Sequence, residues 1–176
     1  ANGCELAHYW MHNGYINVDN RKMSKSLGNF FTVREVAKVY GYEPIRYLMI
    51  SSHYRSPINY STDILDQGRN ALDRLYTCRD NLDFALKNAN EEGSVPEFLE
   101  KYKNEFITAM DDDLNTADAI AVLFETVRAA NTALSENADE NILASYLGLI
   151  LEIAGVLAIL QREEDNSIDE EIEKLI

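Results

Sequence analysis

The chain lacks the features that mark several protein classes. Its 176 residues contain no run of eighteen apolar residues, which argues against a membrane-spanning helix. The longest apolar stretch, near Tyr146 to Leu160, is interrupted by Glu152 and reads as a buried helix. No secretory leader is read at its start. Cysteine is scarce. Cys4 and Cys78 lie far apart and outside any metal-ligand spacing, so a reducing, cytoplasmic setting is expected. There are no internal repeats and no low-complexity tract. Positive charge is in deficit, with 16 Lys and Arg against 30 Asp and Glu and a net charge of −14.

That deficit is uneven. Residues 1–90 carry 11 basic and 9 acidic side chains; residues 91–176 carry 5 and 21. A phosphate-binding surface is therefore expected in the first half, and the acidic second half is read as a solvated face. Hydrophobic residues make up 46% of the chain, enough for a packed core, which excludes wholesale disorder.

The most informative stretch is Lys22-Met23-Ser24-Lys25-Ser26, followed by Gly28. Two lysines three positions apart can reach one ligand from one loop, with hydroxyls beside them. The set suits a flexible polyanion such as a triphosphate. Before it, Leu6 to Val18 reads as a hairpin turning at Asn13-Gly14, with Trp10 in the core. His8 and His12 are read as polar edge residues of a strand, too far apart along it to share a metal.

After the loop, Thr32 to Glu35 has the capping-box pattern and opens a helix to Tyr40 with Gly41 beyond. Pro44 is placed at the first position of the next helix, which runs to about Ser52. His53 to Tyr60 is expected to be extended because of Pro57. Arg55 between Tyr54 and Tyr60 suits an RNA contact or a stabilising arginine on aromatic rings; both stay open.

From Ser61 the pattern is long helices. The first is expected to reach about Ala89 with Leu65, Leu72, Leu75, Leu82 and Leu86 inward. Arg69, Arg74 and Arg79 lie off that stripe, either on a solvated face or as a rail for an RNA backbone. Glu91 to Ser94 reads as a loop. Pro96 is placed at the start of the next helix, with Phe98, Tyr102, Phe106 and Met110 inward. Asp111-Asp112-Asp113 is read as structural, since adjacent helix-end positions do not converge. A helix follows from about Asn115 to Glu136, then the most apolar one from about Glu140 to Leu160. Gln161 to Asn166 reads as an acidic linker, and Ser167 to Glu170 as another capping box.

Lys22 to Ser26 matches the KMSKS signature of class I aminoacyl-tRNA synthetases. The stretches Tyr9 to Gly14, Leu27 to Arg34, His53 to Ser56 and Met110 to Thr116 resemble the cysteinyl-tRNA synthetase family, in register from about Tyr9 to about Phe124. Glu43-Pro44-Ile45-Arg46 stands where that family carries an Asp-Ala-x-Arg-like start. The resemblance implies a mainly α fold. A small β-hairpin and the signature loop would end a Rossmann-type catalytic domain (1–60), and an antiparallel, DALR-type helical bundle (61–176) would follow, ahead of an anticodon-recognition domain.

It also implies activation of cysteine with ATP and Mg2+ to cysteinyl-adenylate, then transfer to tRNA(Cys), with no membrane partner. Lys25 and Lys22 would stabilise charge on the ATP phosphates, with Ser24 adding hydrogen bonds; Arg55, Arg69 and Arg74 are candidate tRNA contacts. The family's HIGH-type motif and its Zn2+ ligands are not in these residues. The chain is accordingly read as an excised piece of a larger enzyme, with no metal site of its own and no activity alone. Alternatives are the related ligase joining cysteine to an amino sugar in mycothiol synthesis, and a non-catalytic helical RNA- or protein-binding module.

Overall fold

A short sheet sits at one end of a bundle of helices. The computed structural model describes residues 7–87 and 96–162. The sheet holds β1 (Ile16–Val18), β2 (Arg21–Lys22) and β3 (Ile58–Tyr60) in the order β2-β1-β3. β2 pairs antiparallel with β1, and β3 pairs parallel with it, Ile16 opposite Ile58 and Val18 opposite Tyr60. Between β2 and β3 run α1 (Val33–Tyr40) and α2 (Glu43–Ile50). The bundle comprises α3 (Thr62–Leu86), α4 (Glu97–Asp111), α5 (Thr116–Ser135) and α6 (Glu140–Leu157).

The hairpin is real but displaced. Its turn is Asp19-Asn20, at φ 49° and 62°, as a two-residue type I′ loop requires. Asn13-Gly14 makes no turn. Gly14 instead presses against the 54–57 backbone: its N–H donates to the Tyr54 carbonyl at 2.7 Å, and a Cβ there would lie 2.2 Å from the Ser56 oxygen. Residues 7–15 form no strand, so His8 and His12 are not strand-edge residues. Trp10 is 65% exposed and stacks beside His12, which corrects its assignment to the core.

The helix signals hold better. Thr32 and Glu35 close both halves of the capping box, and Gly41 at φ 77° ends α1. The Thr32 amide and hydroxyl hold the Glu35 carboxyl below its ordinary range. Ser61 caps α3 by accepting from the Ile64 amide. Small shifts occur at the prolines: Pro44 is the second residue of α2, and Pro96 is the N-cap of α4. α3 stops at Leu86, short of Ala89, which lies outside the described residues, as do the 91–94 loop and the 167–170 capping box. α6 stops at Leu157, where Ala158 turns left-handed; Ile159 and Leu160 stay buried beyond its end.

Two apolar clusters form. The larger is the bundle core, centred on Leu72, Leu75, Leu82, Leu99, Leu123, Ile150 and Ile153. The smaller holds Ile45, Leu48 and Leu65 beneath the sheet. α6 is long and apolar enough to cross a membrane, yet it packs against α3, α4 and α5 with Leu143, Tyr146, Ile150 and Ile153 buried among them.

In α4, Phe98 is half exposed and Leu99 is buried in its place. A four-residue period drifts about 40° per step on a helix of 3.6 residues per turn. Two steps back from Phe106 therefore miss the core, whereas seven residues back, at Leu99, return to it.

Cys78 is buried between α3 and α5, its Sγ 3.9 Å from the Val127 carbonyl, and burial pushes its thiol up to about 11. The folded state thus keeps the Cys78 proton after the unfolded state has lost it, and stability from this group falls as pH rises from about 9 towards 11. Iodoacetamide at pH 8 should leave the Cys78 peptide unlabelled in folded protein and label it in urea. Native labelling at the free-thiol rate would contradict this packing.

Candidate functional site

The lysine loop is built from its anchors outward. β2 carries Lys22 to the sheet edge, and the Met23 N–H donates to the Ile16 carbonyl at 3.4 Å. Met23 lines a mostly apolar cavity of about 220 Å3 with Ile16, Phe31, Val36, Leu48 and Tyr60. Lys25–Leu27 then form one 3-10 turn, closed by Gly28 at φ 67° with its N–H on the Lys25 carbonyl. That left-handed position is where glycine costs least.

Asn29 ties the two ends together. Its Oδ1 accepts from the Ser24 N–H at 2.9 Å, and its Nδ2 donates to the Lys22 carbonyl at 3.3 Å. Ser24 and Ser26 hydroxyls lie 3.2 Å apart. Sequence reasoning passed over Asn29. Its place directly after Gly28 was the available signal, because a short amide side chain there can reach back across a tight turn.

The anchoring leaves both lysines exposed. Lys22 Nζ rests over the Tyr15 ring and Lys25 Nζ over the Phe30 ring, each 5.3 Å from the centroid. Among the described residues neither forms a salt bridge. A cation on an exposed aromatic face gains only about 0.5–1 kcal/mol, so an anion can draw it away. Lys22, Ser24 and Lys25 therefore share one loop, with both lysine side chains exposed.

The candidate arginines are scattered. Arg55 meets Asp113, Nε to Oδ2 at 3.1 Å, and stacks on Tyr54. The Tyr54 hydroxyl and Asp113 raise the Arg55 guanidinium above its ordinary value. Tyr60 packs on Phe31 instead, which corrects its pairing with Arg55. Arg69 pairs with Asp66 at 3.0 Å, and Arg79 is mostly buried over Tyr76 with Asp80 beside it. Residues five apart on a helix are rotated by about 140°, so Arg69, Arg74 and Arg79 do not form one rail.

Arg74 differs. It lies over Phe124 at 5.2 Å and lines a groove of about 460 Å3 between α3 and α5, with Arg128, Asn131, Thr132 and Ser135. No acidic side chain lines that groove. Among the described residues, neither Arg74 nor Arg128 has a carboxylate within ion-pair distance.

Asp113 is structural, as expected, but through partners distant in the chain. It sits at φ 55° after the end of α4, accepts from the Tyr54 hydroxyl at 2.8 Å and from Arg55, and lies 3.5 Å from His53 Nε2. Two separate stretches of the family resemblance thus meet here. Backbone left-handed turns at Asp113 and Leu114 aim this carboxylate back at the 53–55 segment, which adjacency along a helix could not show.

Residues 1–70 match the family model described as the tRNA synthetases class I (C) catalytic domain, and residues 105–161 match the DALR domain. The chain belongs to the class I tRNA synthetases. It is 43% identical over 180 residues to the cysteine–tRNA ligase of Clostridioides difficile (strain 630), covering 99% of this chain and 39% of that protein. The chain thus spans about two fifths of the length of that relative. A LeuRS from Agrobacterium radiobacter K84, solved in a ternary complex with tRNA and LeuAMS, superposes with a TM-score of 0.69 at 22% identity. That likeness covers 83% of this chain and 20% of LeuRS, and concerns the fold.

Among the described residues, no three His, Cys, Asp or Glu side chains gather as metal ligands.

Asn29→Ala should free the lysine loop without touching the bundle. Losing the Ser24 contact should speed amide exchange in a 21–31 peptide roughly tenfold. Exchange in α5 should stay constant. An unchanged loop peptide would mean Asn29 does not hold it.

Proposed function

We propose that this chain is part of a cysteine–tRNA ligase, acting in the cytoplasm and supplying the ATP-facing lysine loop and a tRNA-contacting bundle. Residues 1–60 close the catalytic domain and residues 61–176 form the bundle. The observation that carries the reading is the loop itself: a turn fixed by Met23, Asn29 and Gly28 that leaves Lys22 and Lys25 exposed on aromatic rests. Identity to a cysteine–tRNA ligase over nearly the whole chain supports the amino acid.

Activation joins the cysteine carboxylate to the α-phosphate of ATP and breaks the bond to pyrophosphate. Negative charge grows on the departing β- and γ-phosphates. Cations placed where that charge develops lower the barrier, since contacts stronger in the transition state are the ones that speed the step. Lys25 on the 3-10 turn is assigned the larger share and Lys22 the smaller. The Ser24 and Ser26 hydroxyls and the amides near Gly28 add hydrogen bonds. Magnesium, held mainly by ATP oxygens, supplies further charge. Zinc is assigned to the whole enzyme, with ligands outside these residues.

The test uses the full-length parent enzyme with ATP, labelled cysteine and tRNA. Lys25→Ala should lower charging by roughly a hundredfold, about 3 kcal/mol of transition-state stabilisation. Pyrophosphate exchange without label on tRNA would favour the amino-sugar ligase. No exchange at all would favour a binding module.

For tRNA, we assign phosphate contact to Arg74 together with Arg128 in the α3–α5 groove. Arg69, already paired with Asp66, and Arg55, already paired with Asp113, are less available. The double variant Arg74→Ala/Arg128→Ala should reduce the salt slope of tRNA binding by about two units, and Arg69→Ala should leave it unchanged. A double variant with the parent slope would remove this groove from the RNA path.

A further inference from the structure

α2 and α3 cross closely at Gly68, where a Cβ would lie 3.2 Å from the Tyr47 ring. Past that crossing, polar groups join the far end of the bundle to α2. Tyr76 on α3 is 4% exposed. Its hydroxyl lies 2.9 and 2.8 Å from the two Glu43 carboxylate oxygens, donating to that carboxylate, and accepts the Arg162 N–H at 2.8 Å. The Gln161 N–H reaches the same carboxylate at 3.3 Å.

The Tyr76 ring is flanked by two guanidiniums, Arg162 at 4.4 Å and Arg79 at 4.8 Å, and Arg79 also donates to the Arg162 carbonyl at 3.2 Å. Burial raises the Tyr76 hydroxyl above its ordinary range, so it remains a proton donor at neutral pH. Glu43 is in turn the first residue of α2, where a carboxylate complements the helix N-terminus.

Glu43 is a short walk from the chemistry. The lysine loop runs into α1 at the Thr32 cap, and Gly41 turns the chain directly into α2. Residues 161–162 follow shortly after the end of α6, the helix packed against every other helix of the bundle.

We propose that Tyr76 is a positioning residue: its hydroxyl locks residues 161–162 onto the start of α2 and so sets the distance between RNA held on the bundle and the lysine loop. The proposal rests on the reading of the chain as part of a tRNA-charging enzyme. The clamp does not touch ATP or cysteine. Its loss therefore separates the two half-reactions, leaving activation alone and weakening transfer to tRNA.

The test uses the full-length enzyme and a tRNA transcript. Tyr76→Phe keeps the ring between its arginines and removes only the hydroxyl. Cysteine-dependent pyrophosphate exchange should stay within about twofold, while kcat/KM for tRNA falls roughly tenfold. Glu43→Ala should match it, and the double variant should be no worse than either. Glu43→Gln, whose amide oxygen still accepts, should keep at least about half the parent value.

Unchanged charging in Tyr76→Phe overturns the proposal. So does an equal loss of exchange and charging, which marks general destabilisation. Amide exchange at residues 159–162 is an independent reading and should quicken in Tyr76→Phe. If the parent enzyme does not charge tRNA, the functional reading fails by itself, and unchanged amide exchange at these residues would then overturn the clamp.

Discussion

The Asp113 carboxylate is the constraint on which the arrangement depends. It belongs to the corner between α4 and α5, and its three partners, His53, Tyr54 and Arg55, belong to the segment that feeds β3. From Tyr54 the connection continues through backbone. The Tyr54 carbonyl accepts the Gly14 N–H, Gly14 leads into β1, and β1 pairs with the strand that bears Lys22. A continuous chain of contacts therefore runs from the corner of the bundle to the edge of the lysine loop. Exposed ion pairs alone contribute little. Here the carboxylate also receives a tyrosine hydroxyl, and the Gly14 contact tolerates no side chain, so the geometry is fixed from both sides.

The loop solves a problem that every flexible cationic site faces. Lysines must remain reachable and charged, yet not wander. The anchoring is done by Met23 in an apolar cavity and by Asn29 across the turn, and neither uses the ammonium groups. The ammonium groups rest on Tyr15 and Phe30, partners that compete weakly with phosphate. The bundle applies the same division of labour to its arginines. Arg69, Arg79 and Arg162 are held by carboxylates, whereas Arg74 and Arg128 face an acid-free groove.

Much of this was legible in sequence where a rule is local. The Thr32 capping box and the Gly41 stop depend on a few adjacent residues, and both stand as read. The apolar period gave α3 its inward face. The errors came from places where a distant partner decides. Asn13-Gly14 has the composition of a turn, but Gly14 is required for the close approach of the 54–57 backbone, and the turn falls to Asp19-Asn20. Trp10 has the composition of a core residue, but its segment forms no strand and gives it no core to enter. Asp113 reads as a structural acid at a helix end, but its partner Tyr54 appears only once the left-handed backbone at 113–114 turns it that way. Asn29 escaped notice because its two hydrogen bonds go to backbone groups, so its place after Gly28 was the one local hint.

The most direct test of the central claim is a double-mutant cycle on Tyr54 and Asp113. Urea unfolding of the parent enzyme, Tyr54→Phe, Asp113→Ala and the double variant would give the coupling between hydroxyl and carboxylate. The account predicts a coupling of about 1 kcal/mol, the ordinary net worth of a hydrogen bond. It also predicts that amide exchange at Gly14 quickens in both single variants. Strictly additive stabilities, with Gly14 protection unchanged, would mean the bundle corner and the lysine-loop strand are not joined through Asp113.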